Sequence, residues 1–64
     1  MAETGSQLIS KASMEGRPVR VEALRALAAG PKHVAELVQM AEQWGVEVHG
    51  RLNYQESKEL YGVR

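Results

Sequence analysis

Apolar residues recur every three or four positions after Pro31, and this stretch predicts the clearest helix in the chain. Five of them share one stripe when the stretch is drawn as a helix: Val34, Leu37, Val38, Ala41 and Trp44. A stripe of this width packs one side of a helix against a core. Proline suits the first helical position and glycine commonly ends a helix, so the predicted helix runs from Pro31 to Gly45.

A shorter apolar stripe precedes this helix. It consists of Val21, Leu24, Leu27 and Ala28, which fall on one helical face. The pattern predicts a helix from near Val21, with Gly30 ending it in the left-handed conformation. Residues 17–20 fit two interpretations. Apolar and basic residues alternate from Val19, as in a strand, but Pro18 also suits the first position of a helix. The sequence leaves both open.

The remaining C-terminal pattern predicts a short extended segment and a third helix. Apolar and polar residues alternate over 46–49, which suits a strand that pairs with 18–21 as a minor two-stranded ribbon. Asn53 precedes Glu56 by three positions, which is the spacing of a capping box. This spacing predicts a helix over 54–61, with too few apolar residues to be stable unless it is docked.

The first sixteen residues are rich in small and polar types, and they are interpreted as a flexible N-terminal tail, residues 1–16, which allows a turn of helix around Ser6–Ser13. Residues 17–64 are then a single small helical domain, since 64 residues allow one domain at most. The predicted fold is mainly α: a small three-helix domain, helix-turn-helix-like, with the ribbon of 18–21 and 46–49 as a minor addition.

Composition restricts the function classes. The chain has eight acidic residues, eight basic residues and no cysteine. Disulfides and thiolate zinc sites are therefore excluded, and a zero net charge does not favour strong nonspecific binding to nucleic acid. The chain has no apolar run of membrane-spanning length, and its start lacks the basic and apolar regions of a secretory signal. We expect a cytoplasmic protein without a membrane partner.

The sequence offers no catalytic constellation. Its serines lie in the tail or in a predicted helix, and its carboxylates are scattered over polar faces. His33 and Glu36 are one helical turn apart, but they lie on different sides of the helix and no third ligand is spaced to join them. We expect no enzyme activity, no metal, no cofactor and no small-molecule substrate.

The stretch ALRALAAGPKHVAEL, residues 23–37, resembles the opening of many prokaryotic winged-helix and helix-turn-helix regulators. There, an apolar helix ends at Gly-Pro and the next helix carries an Ala-Glu-Leu step. The resemblance implies a small DNA-binding transcription regulator of prokaryotic or phage origin, dimeric, with residues 53–62 as the recognition helix on duplex DNA. The residues it assigns to DNA are Asn53, Tyr54, Gln55, Ser57 and Lys58, and the basic residues Arg51, Arg17 and Arg20 are added to them.

The connection over 45–52 is longer than a usual helix-turn-helix turn, and no wing hairpin follows it. A second hypothesis is therefore a protein-protein interaction module, either an adaptor or an inhibitor, or a structural subunit of an assembly. Its interface would be the helix edge formed by His33, Met40 and Trp44, which flanks the core stripe and would contact a protein partner or a second copy of the chain.

Overall fold

The computed structural model describes residues 3–62, and within them the chain forms four helices and one pair of short strands. The elements in chain order are α1 (Gly5–Glu15), β1 (Val19–Arg20), α2 (Val21–Leu27), α3 (Pro31–Gln43), β2 (Val48–His49) and α4 (Tyr54–Tyr61). The predicted mainly α fold with a minor ribbon is confirmed. The expected count of three helices is one too few, because α1 lies in the segment that was interpreted as a tail.

The first helix is fixed at both ends by local hydrogen bonds. The Thr4 hydroxyl accepts from the backbone N–H of Gln7, and the Gln7 side chain accepts from the backbone N–H of Thr4. Gly16 ends α1 in the left-handed conformation, at φ 67°. Ile9 and Ala12 are buried in the core. The prediction of a flexible tail is therefore wrong for residues 5–15, since a capping box and two buried apolar side chains order them.

Residues 19 and 20 are a strand, which decides between the two interpretations of this segment. β1 pairs with β2 in parallel, and the register places Val19 beside Val48 and Arg20 beside His49. Parallel strands need a crossover connection, which here consists of α2 and α3. Val19 is buried and Arg20 is exposed, so the ribbon has an inner and an outer side.

The connection between α2 and α3 differs from the prediction. α2 ends at Leu27, and Ala28 already has extended backbone. Gly30 is not the left-handed end of α2 but the N-cap of α3, at φ 144° and ψ 177°, a conformation that is essentially restricted to glycine. The ring Nδ1 of His33 accepts a hydrogen bond from the backbone N–H of Ala29 at 2.9 Å. A side chain from the first turn of α3 thus holds the connecting loop.

The core is built around α3. This helix buries five apolar side chains, Val34, Ala35, Leu37, Val38 and Ala41, and the other elements pack around them. α4 lies along α3, and α1 approaches α3 so closely that a Cβ on Gly5 would meet the Leu37 side chain. Trp44 does not belong to this core, contrary to the predicted stripe. α3 ends one residue before it, and Trp44 is 52% exposed.

Candidate nucleic-acid interface

The helix α4 is held on the domain by a paired carboxylate. Glu56 is only 1% exposed, and its two carboxylate oxygens accept from Arg25 of α2: Nε donates to Oε2 at 2.6 Å and Nη2 donates to Oε1 at 2.7 Å. Arg25 Nη2 also donates to the backbone carbonyl of Arg51 at 3.1 Å. A bidentate arginine–carboxylate pair of this kind is strong and fixes direction. It locks α4 and the loop before it to α2.

The same carboxylate completes the predicted capping box. Asn53 Oδ1 accepts from the backbone N–H of Glu56, and Glu56 Oε1 accepts from the backbone N–H of Asn53, both at 2.9 Å. Hydrogen bonding to Arg25 holds the pKa of the Glu56 carboxyl below its ordinary value, against the opposing effect of burial, and the Asn53 N–H acts in the same direction as Arg25. In return, the bond to Glu56 raises the pKa of Arg25. Glu56 is therefore a buried, neutralised anion, and its interpretation as a solvated surface residue is wrong.

The outward face of α4 carries aromatic and polar side chains. Tyr54 is 68% exposed and Tyr61 is 73% exposed, and exposed Lys58 lies on the same side of the helix between them. Gln55 and Glu59 are also exposed, and both lie to the same side of this line. We call Tyr54, Lys58 and Tyr61 the tyrosine–lysine stripe. Because Glu56 is turned inward, Glu59 is the one carboxylate that α4 presents to solvent.

Two residues assigned to DNA contact, the N-cap of α4 and one residue within the helix, are less available than predicted. Asn53 is exposed, but its side-chain oxygen is occupied by the cap of α4, so it cannot offer both amide groups to an adenine edge. Ser57 is half-buried on the flank of the helix. Of the assigned residues in this part of the chain, Tyr54, Gln55 and Lys58 remain fully available.

The basic residues outside α4 lie at two different ends of the ribbon. Arg20 is beside His49, and Arg51 follows two positions later, so the strand pairing brings both arginines to the loop that enters α4. Both are exposed, and the carboxylate of Glu22 also lies in this region, against Gly50. Arg17 precedes β1, forms an ion pair with Glu15 and lies away from this loop, at the opposite end of β1 from Arg20.

The helix edge of the second hypothesis is less exposed than predicted. His33 and Met40 are half-buried. The His33 ring accepts a hydrogen bond from the loop, and Met40 packs against the core. Trp44 alone of the three is well exposed. It borders a groove where the C-terminal ends of α1 and α3 meet, which Arg17, Pro18, Val46 and Glu47 also line. Sequence reasoning placed Trp44 at an interface edge but did not find this groove, because α1 forms one of its walls.

The exposed face of α3 is unsuited to nucleic acid. It carries Glu36 and Glu42 against one cation, Lys32. The connection of α2 to α3 is as short as that of a helix-turn-helix, over 28–30, whereas α3 and α4 are separated by 44–53, a stretch that contains β2. The short turn therefore joins α2 to α3, whereas α4, which carries Lys58, follows the long connection.

Across residues 3–62, no group of three histidine, aspartate or glutamate side chains comes together to hold a metal. None of the helices in that range is long and apolar enough to cross a membrane. No protein-family model, curated protein or solved structure matches the chain.

Proposed function

We propose that this chain is a small DNA-binding regulatory protein that contacts nucleic acid through the outward face of α4 and the loop before it. The observation that best supports this proposal is that the Glu56 side chain is buried against the domain. Arg25 neutralises its charge, so α4 presents Lys58, Tyr54 and Gln55 to solvent, with Glu59 as the opposing charge. Arg51 and Arg20 extend the same surface at the N-terminal end of α4.

In this function, α4 contacts both the phosphates and the bases of the nucleic acid. Lys58 and Arg51 pair with phosphates, which positions the helix, and Gln55 is the amide of α4 that is free to reach base edges. Tyrosine hydroxyls also donate to phosphate oxygens. With two phosphate contacts the affinity is modest, and it falls with salt at a log–log slope of about −2. A zero net charge is compatible with this mode, because the contact depends on a local face.

Removal of the cation on the stripe tests the proposal. We expect Lys58→Gln to weaken binding to a fluorescein-labelled DNA fragment in an anisotropy titration at low salt, and to reduce the salt slope by about one. The matched control is Lys11→Gln, which makes the same change of charge on the exposed side of α1. Equal loss of binding in both variants would show that net charge decides binding, and no binding by the unaltered chain would refute the proposal.

The second candidate function is protein binding at the Trp44 groove. The specific observation in its favour is that the single tryptophan of the chain is half-exposed beside a concave surface, and tryptophan is among the residues that dominate interface energies. Met14, on the last turn of α1 near this groove, is 84% exposed. This function would use the end of the molecule at which α1 and α3 terminate, and it would leave α4 free.

A further inference from the structure

We infer that the nucleic acid on α4 is single-stranded, with unpaired bases stacked on the rings of Tyr54 and Tyr61. This inference rests on the proposed function and specifies its substrate class. The phosphate contacts leave the exposure of the two tyrosines unexplained. Two aromatic side chains of a small domain with three aromatic residues in all are placed on the outer face of one helix and not in the core.

The spacing of the two rings suits a shared ligand strand. Tyr61 follows Tyr54 by seven positions, which places the two on nearly the same side of the helix, roughly 10 Å apart along its axis. Lys58 lies between them on that side, where its ammonium group can meet a phosphate of the strand that joins the stacked bases. Alternating aromatic and cationic contacts are the pattern by which proteins hold single strands without reading their sequence.

The charge balance of the molecule favours unpaired over paired substrate. Duplex binding depends mainly on neutralised phosphates, and α4 with its preceding loop offers few cations, opposed by Glu59 and Glu22. Stacking does not depend on net charge, since every base has a π face that an exposed ring can cover. In a duplex those faces are already stacked on their neighbours. Asn53 is committed to the helix cap, which also weakens reading of base edges in a groove.

The packing of α4 keeps these rings outward. The Arg25–Glu56 pair and the half-buried Leu60 hold the opposite face of α4 against the domain. The helix therefore cannot rotate to bury the tyrosines without breaking a bidentate ion pair. The rings are held on a fixed surface, which lowers the conformational entropy that a ligand must remove when it binds.

The test compares two double variants on two probes. The probes are a fluorescein-labelled oligothymidylate, which forms no duplex with itself, and a blunt DNA duplex of equal length. We expect the chain to bind oligothymidylate more tightly than the duplex. Tyr54→Leu with Tyr61→Leu should weaken oligothymidylate binding roughly five- to 150-fold per ring, whereas Tyr54→Phe with Tyr61→Phe should retain it, since phenylalanine keeps the ring and removes only the hydroxyl.

Each alternative result has a distinct meaning. If the phenylalanine pair loses as much binding as the leucine pair, the hydroxyls and not the rings bind, and the inference is overturned. If the chain prefers the duplex, and the double leucine variant binds the duplex as tightly as the unaltered chain does, the inference is also overturned, while the proposed function stands. Binding of neither probe refutes both. Met14→Ser, which removes an exposed apolar side chain from α1, should change nothing, and circular dichroism checks that each variant retains its helix content.

Discussion

Glu56 has partners in two different parts of the chain. Its contact with Asn53 is local, three residues away, and the capping-box spacing predicted it together with the start of α4. Its contact with Arg25 joins residues 31 positions apart, and nothing in the local pattern indicates it. The sequence therefore predicted the helix that carries the candidate site, but not the ion pair that determines which face of that helix is outward.

We predict that Glu56→Gln destabilises the domain by about 1–3 kcal/mol, the usual effect of losing a hydrogen bond to a charged group. Urea unfolding followed by circular dichroism measures this change. Arg25→Met combined with Glu56→Gln should lose less stability than the sum of the two single variants, because each single variant leaves one partner unpaired. Strict additivity would contradict a direct interaction.

The same residue predicts a pH dependence. The folded-state pKa of Glu56 is below its unfolded value, so its contribution to stability is complete above the ordinary glutamate pKa of about 4.3. The contribution is lost as the pH falls below that value toward the folded pKa. Unfolding curves between neutral and strongly acidic pH should show a decrease that is smaller in Glu56→Gln. An identical decrease in both proteins would assign it to other carboxylates.

Among the elements, the difference between α1 and α3 shows what a periodic pattern can predict. α3 has an apolar stripe and an opening proline, so its core positions Val34, Leu37, Val38 and Ala41 could be predicted from spacing alone, whereas the buried Ala35 lies outside the predicted stripe. α1 has only Ile9 and Ala12 in the core, and its N-terminal capping box uses Gln7 at the end of a polar run. Its stability comes from packing on α3, which a pattern within α1 does not reveal.

We predict that Ile9→Ala lowers the free energy of unfolding by about 2–5 kcal/mol, as truncation of a fully buried isoleucine does. Met14→Ala on the same helix is the matched control, and it should have an effect close to zero because Met14 is 84% exposed. Thermal or urea unfolding compares the two. A negligible effect of Ile9→Ala would indicate that α1 is not part of the folded core.

At the scale of the whole molecule, the two candidate surfaces are carried by different elements. The tyrosine–lysine stripe is on α4, whereas the Trp44 groove is formed by the ends of α1 and α3. Neither surface can be recognised from the composition, because a count of aromatic residues does not show which of them are exposed. The placement of Trp44 on the core stripe is wrong because α3 ends at Gln43, one residue before Trp44.

If the second candidate function holds for a second copy of the chain, we expect sedimentation equilibrium to detect a concentration-dependent dimer. Trp44→Ser should weaken the dimer about tenfold or more, as loss of an interface tryptophan typically does. Tyr61→Ser should leave it unchanged. A protein that remains monomeric at every concentration would rule out self-association at this groove.

The pairing of β1 with β2 has a consequence for how the molecule folds. The two strands are parallel and only two residues long, and all of α2 and α3 lies between them in the chain. Closing so long a loop for so few ladder hydrogen bonds is unfavourable until the helices have docked. We therefore expect the ribbon to form late, after α2 and α3 have packed together. The loop that positions Arg51 and the start of α4 would then acquire its native geometry in the same late step.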